Sequence, residues 1–90
     1  MDDLAEYINS LELHPAIRNW LYRVERNAKA NTPDVFMRQL IMSVGAFVLS
    51  QTHYDNQPTI NQIANTIGIV AEFLEVNIAK YNLNDLWGYR

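Results

Sequence analysis

The sequence predicts an all-α fold, a small bundle of about four helices that ends in a long C-terminal helix. Apolar residues recur at three- and four-residue spacing through most of the 90 residues, the period of a helix with one buried face. Pro15, Pro33 and Pro58 each stand at the head of such a stretch. A proline is tolerated there because the first turn has no partner for the amide hydrogen it lacks. Apolar residues make up 49% of the chain and charged ones 19%, a balance that supports one packed domain over residues 1–90 and excludes a disordered chain.

The first helix begins at Asp2 or Asp3, either of which is a suitable cap, and carries Leu4, Ile8 and Leu11 on one side with Tyr7 alongside. It is short and marginal alone, and His14 and Pro15 end it. In the second helix Ile17, Trp20, Leu21, Val24 and Ala28 repeat at helical spacing and face the core. Asn31 and Thr32 close it. Thr32, Pro33 and Asp34 then supply a cap, a first-turn proline and an acid matched to the dipole of the next helix. That third helix, over residues 33–50, is apolar nearly all round, as expected of a helix that is central or lies in an oligomer interface. Gly45 and Ala46, beside Met42, leave room for another backbone to come close. Residues 51–57 read as a polar loop.

Residues 58–81 are expected to form one long helix. At about 100° per residue, Ile60, Ile63, Ala64, Ile67, Val70, Ala71, Leu74, Ile78 and Tyr81 share an arc of about 120°. Ile69, Phe73 and Val76 project nearly opposite, joined by the stem of Lys80. Two explanations of this second apolar face stay open at this level: the N-terminal segment folds over it, or a second copy of the chain meets it about a two-fold axis. On the second explanation the protein is a dimer whose contact surface comprises Ile69, Phe73, Val76, Lys80 and Trp87. Trp87 belongs to the aromatic-rich terminus that follows Tyr81, expected to dock on the bundle or on a neighbour.

The net charge of −3 is unevenly spread. Asp2, Asp3, Glu6 and Glu12 precede a basic stretch of Arg18, Arg23, Arg26 and Lys29, so charges are expected to pair across the first two helices. The row Arg18, Tyr22, Arg26 and Lys29 is the best candidate surface for an anionic ligand, and its alternative is a solvated outer face.

Little in the chain points to catalysis. There is no cysteine, which excludes disulfides, thiolate chemistry and Cys-based zinc sites. His14 and His53 have no metal-ligand spacing, Ser10, Ser43 and Ser50 have no identifiable base, and Gly45, Gly68 and Gly88 are isolated. Glu72 and Glu75, three apart on one helical flank, read as a solvated face. No cofactor and no metal are expected. Residues 40–49 are too short to span a bilayer and no signal peptide is apparent, so the expected location is cytoplasmic.

Two resemblances supply alternatives. Ile63, Ala64, Ile67, Gly68, Ile69 and Leu74 have a spacing that resembles a helix-turn-helix unit with its turn at Gly68, which implies a DNA-binding regulator. Its recognition helix would carry Glu72 and Glu75 against only Asn77 and Lys80, so nucleic acid is the disfavoured partner. The order QLIMSVGAFVLSQ, QIANTIGIVAEFL, KYNLNDLW is similar to the helices of MazG-like all-α nucleotide pyrophosphohydrolases. That resemblance implies a relative that binds nucleotide without hydrolysing it. Where the family holds magnesium on carboxylates, this chain has Met42, Ser43 and Ala46 in the first set and Gln62 and Asn65 in the second. The leading expectation is a non-enzymatic, dimeric binding protein that regulates or inhibits a protein partner, of the kind phages and mobile elements carry as accessory factors.

Overall fold

Five α-helices and one 3₁₀ turn, with no strand among them, make up the residues described by the computed structural model: 3–28, 32–51 and 58–81. They are α1 (Leu4–Ser10), α2 (Pro15–Ala28), α3 (Pro33–Met42), α4 (Val44–Ser50), α5 (Ile60–Phe73) and the 3₁₀ turn Ile78–Lys80. α3 is the centre. It packs against α2, α4 and α5, while α1 lies against α2. Phe36, Met37 and Leu40 on α3, Leu21 on α2, Ile8 on α1 and Ile67 and Val70 on α5 are fully enclosed, so every α-helix but α4 contributes a side chain with no exposure.

Local chemistry explains where the helices begin. His14 starts α2 by accepting the Ala16 amide on Nδ1 at 3.1 Å, which satisfies a first-turn donor that the chain itself leaves free. Thr32 caps α3 through its hydroxyl, which accepts from the Val35 amide. α5 opens on a reciprocal capping box: the Gln62 amide donates to Thr59 Oγ1 at 3.1 Å and the Thr59 amide to Gln62 Oε1 at 2.8 Å. The cap expected at the head of α1 is different. Asp3 makes no side-chain cap there, and Asp2 lies outside the described residues.

The helix expected over residues 33–50 is two helices divided at Ser43. Trp20 on α2 donates its indole N–H to Ser43 Oγ at 2.7 Å, and that hydroxyl in turn donates to the Leu40 carbonyl at 2.8 Å. A serine that bonds back onto its own helix competes with the ladder and bends it. The break is slight, since the Ser43 amide still reaches the Gln39 carbonyl and its own carbonyl accepts from the Phe47 amide. Stacking of the Trp20 and Phe47 rings, with centroids 4.5 Å apart, fastens α4 to α2 below the break.

α5 runs unbroken through Gly68, so the two helices of a helix-turn-helix with its turn at that glycine are not formed. The helix does not continue to Tyr81 as the apolar stripe implied. It stops at Phe73, with Leu74 as its cap. The Val76 amide reaches back to the Ala71 carbonyl at 2.9 Å and the Glu75 amide to the Glu72 carbonyl at 3.1 Å, the two bonds of a Schellman motif. Glu75 takes the left-handed position at φ 57°, the only non-glycine residue with positive φ among those described. Two side chains favour this ending. Val76 turns inward onto the core instead of projecting opposite it, and Asn77 Oδ1 accepts the Ala79 amide at 3.0 Å to start the 3₁₀ turn. Asparagine competes for the backbone in this way, which makes it a poor helix interior residue.

Candidate functional site

Most of the surface expected to join two copies through α5 is used within the chain. The Phe73 ring stacks on Tyr7 of α1, with centroids 3.9 Å apart and planes within 9°. Val76 packs on the core and Lys80 is bound to Asp34. Ile69 stays 41% exposed and Phe73 37%. Trp87, with the rest of the aromatic terminus, lies outside the described residues. α1 therefore lies over part of the second face of α5.

A different apolar row stands in solvent. Val35 and Met42 on α3 and Leu49 on α4 are 40%, 77% and 70% exposed. They recur every seven residues, which on a helix is one stripe. Arg38 and Ala46, also exposed, fall on the same side, and at about 100° per residue all five occupy an arc of about 80°. A Cβ added to Gly45 would meet nothing within 4 Å, so the space beside this glycine is open. The seven-residue interval is the sequence signal for this stripe, masked there by the apolar residues on every other side of the helix.

Asp34, in the first turn of α3, gathers three donors. Its Oδ1 accepts from Lys80 Nζ at 2.6 Å and from the Tyr81 hydroxyl, and its Oδ2 pairs with Arg38 Nε at 3.1 Å. Lys80 Nζ also stands 5.3 Å from the centre of the Tyr81 ring. The hydrogen bonds from Lys80 and then Tyr81 hold the Asp34 carboxyl below the usual carboxylate range. The bond to Asp34 raises Lys80, whereas Tyr81 is raised first by desolvation and then by its bond to Asp34. The cluster is thus complete from about pH 4 to about pH 10. Below that window it is lost as pH falls through the lowered Asp34 value. Above it, the cluster is lost as Lys80 and Tyr81 give up protons at their raised values. The sequence marks Asp34 as a helix-dipole acid, with no signal that residues 46 and 47 positions later return to it.

The basic row divides. Arg18 folds inward, donating from Nη2 to the Leu11 carbonyl at 2.9 Å, and its Nε is buried without a hydrogen-bond partner. Tyr22 is half-buried, its hydroxyl 3.5 Å from Asn9 Oδ1. Arg23 and Arg26 are exposed and, with Asn19, Tyr22 and Glu25, line a shallow depression of about 480 Å³ along α2. Lys29 lies outside the described residues. Among the described residues no ion pair joins α1 to α2. The expected charge pairing is replaced by Arg18 binding a backbone carbonyl, which secures the link between the two helices without an acid. A second depression, of about 310 Å³, runs between α4 and α5 beside Phe47, Pro58 and Ile63.

The positions read for chemistry do not converge. Met42 and Ala46 face solvent, Ser43 is bound to Trp20, and Gln62 is engaged in its capping box. Glu72 and Glu75 do not share a helical flank, because Glu75 stands beyond the end of α5 in the left-handed conformation. Among the described residues no three His, Asp or Glu side chains are grouped so that they could hold a metal ion, and no helix is long and apolar enough to cross a membrane. The chain matches no family model, and neither a curated protein nor a solved structure is significantly similar to it.

Proposed function

We propose that this protein is a non-enzymatic helical binding module, a homodimer that regulates or inhibits a protein partner, and that its two copies meet along the outer stripe of α3 and α4. The observation that carries this reading is Met42, a large apolar side chain left almost wholly in water midway between exposed Val35 and Leu49. A two-fold axis at Met42 brings Val35 against the partner's Leu49 and sets each Met42 beside the small residues Gly45 and Ala46, which admit a close approach. In this antiparallel arrangement the two Arg38 side chains lie on opposite sides of the axis, separated along the helix. Methionine suits such a contact because its unbranched thioether adapts to an irregular surface.

The dimer presents the Arg23 and Arg26 face of α2 twice. Two such faces, each with the Tyr22 ring lining the same depression as the two cations, suit an acidic surface on a protein partner. Sedimentation velocity tests the self-association. Wild type is expected to be dimeric at high micromolar concentration and Met42→Glu monomeric, with circular-dichroism melts that coincide when both are diluted to monomers, since the substituted side chain then stands in solvent in each. A wild type that stays monomeric removes the dimer, and a Met42→Glu protein that stays dimeric removes this face.

A further inference from the structure

Beyond the interface just described, we propose that residues 75–81 form a strap, hinged at Glu75 and latched on Asp34, which opens as a unit and uncovers the apolar surface beneath Val76 and Ile78. Three observations place the hinge and the latch. α5 ends at its Schellman motif, with Glu75 in a left-handed conformation that any residue but glycine occupies under strain. Beyond this point the backbone hydrogen bonds are local: Lys80 to Asn77 and Tyr81 to Ile78 within the strap, and Val76 to Ala71 back onto the last turn of α5. None ties the strap to α3 among the described residues. Among the described residues its attachment to the rest of the fold therefore rests on the single Asp34 carboxylate of α3 and on the partly buried side chains of Val76, Ile78 and Tyr81, which pack on the core.

A segment built in this way opens at lower free energy than the helices it covers. The latch is also reachable from outside. The Asp34 side chain is 37% exposed and that of Lys80 52%, so ions in solution weaken their attraction. The charged and titratable groups that meet Asp34 are Lys80 and Tyr81 from the strap and Arg38 from α3 itself. Arg38 stays in place when the strap leaves, so the carboxylate keeps one cation in the open state and remains ionised. Opening exposes Val76 and Ile78 together, a short apolar surface that the closed molecule partly covers.

Amide hydrogen exchange, followed residue by residue under native conditions, tests the strap. In Asp34→Asn the amide of Val76, whose bond to Ala71 crosses the hinge, is expected to exchange about tenfold faster than in wild type, while that of Ile67 in the middle of α5 is unchanged. Those of Lys80 and Tyr81 should follow Val76, because a three-residue 3₁₀ turn does not hold its bonds once it has left the core. Lys80→Gln, which leaves α3 untouched, should accelerate the same amides about threefold. In 1 M sodium chloride, where the screening length is about 3 Å, they should accelerate in wild type and hardly change in Asp34→Asn. Unchanged exchange at Val76 and Tyr81 in both variants would overturn the proposal. So would an acceleration shared equally by Ile67, because the unit that opens would then be the whole domain.

Discussion

α5 and the α3–α4 pair are both apolar on two faces, yet they end in opposite situations. α5 turns Ile63, Ile67, Val70 and Ala71 into the core, and much of its other face is occupied from within: Phe73 by Tyr7, and Val76 by the reversal of the chain at Glu75. The α3–α4 pair turns Phe36, Met37, Leu40, Val44 and Phe47 inward and leaves Val35, Met42 and Leu49 in water. A surplus of apolar side chains on a helix thus does not by itself mark an intermolecular surface. What matters is whether another part of the same chain is long enough and close enough to cover it. The seven-residue α1 reaches the end of α5, and no described element lies over the outer side of α3.

The largest effect expected from this difference comes from truncating one residue in each region. Ile67→Ala should lower stability by about 2–5 kcal/mol, because it opens a cavity among enclosed neighbours that can collapse only partly. Met42→Ala should change it by no more than about 0.5 kcal/mol, since its side chain has few neighbours to lose. Urea denaturation measured at a concentration that holds both proteins monomeric would check the contrast. Equal losses would show that the α3–α4 stripe is covered within the chain.

A smaller effect is expected at the joint between α3 and α4. Ser43→Ala leaves the buried Trp20 indole N–H without its acceptor, which should cost about 1–2 kcal/mol. It also frees the Leu40 carbonyl to accept from the amide four residues on, so α3 and α4 should run closer to a single helix. The loss would appear as a lower thermal midpoint, and the straightening as stronger amide protection at residue 44.

The smallest effect, opposite in sign, concerns Gly68. The glycine is exposed in mid-helix, its φ is not positive, and an added Cβ would meet nothing within 4 Å. Gly68→Ala should therefore stabilise by about 0.5–1 kcal/mol, raising the melting midpoint by several degrees in a domain of this size. A fall in the midpoint would instead indicate that the chain needs a glycine turn there and would restore a broken α5.

The helical class was readable because local rules agree with one another: periodic apolar residues, a proline in the first turn of α2 and of α3, Thr32 and Thr59 as caps, and the core faces of α2 and of α5 from Ile63 to Ala71, although Ile60 at the head of the expected stripe is exposed. Helix ends were read less well. The split at Ser43 depends on Trp20, 23 positions away, and the stop at Phe73 depends on where Val76, Ile78 and Lys80 find partners on the rest of the fold. The candidate surfaces fared likewise. Arg18 and Tyr22 belong to one row in the sequence, but Arg18 is spent on the Leu11 carbonyl, whereas Arg23 joins Arg26 and Tyr22 at the outer depression.

Spacing and capping are properties of neighbours three or four residues apart, so the sequence alone determined that this chain is helical and which face of most helices is buried. Which apolar face stays in water, which cation meets Asp34 and where α5 ends are settled by contacts between residues far apart in the chain. Those contacts compete with local preference at energies of the same size, and only the assembled tertiary structure decides between them.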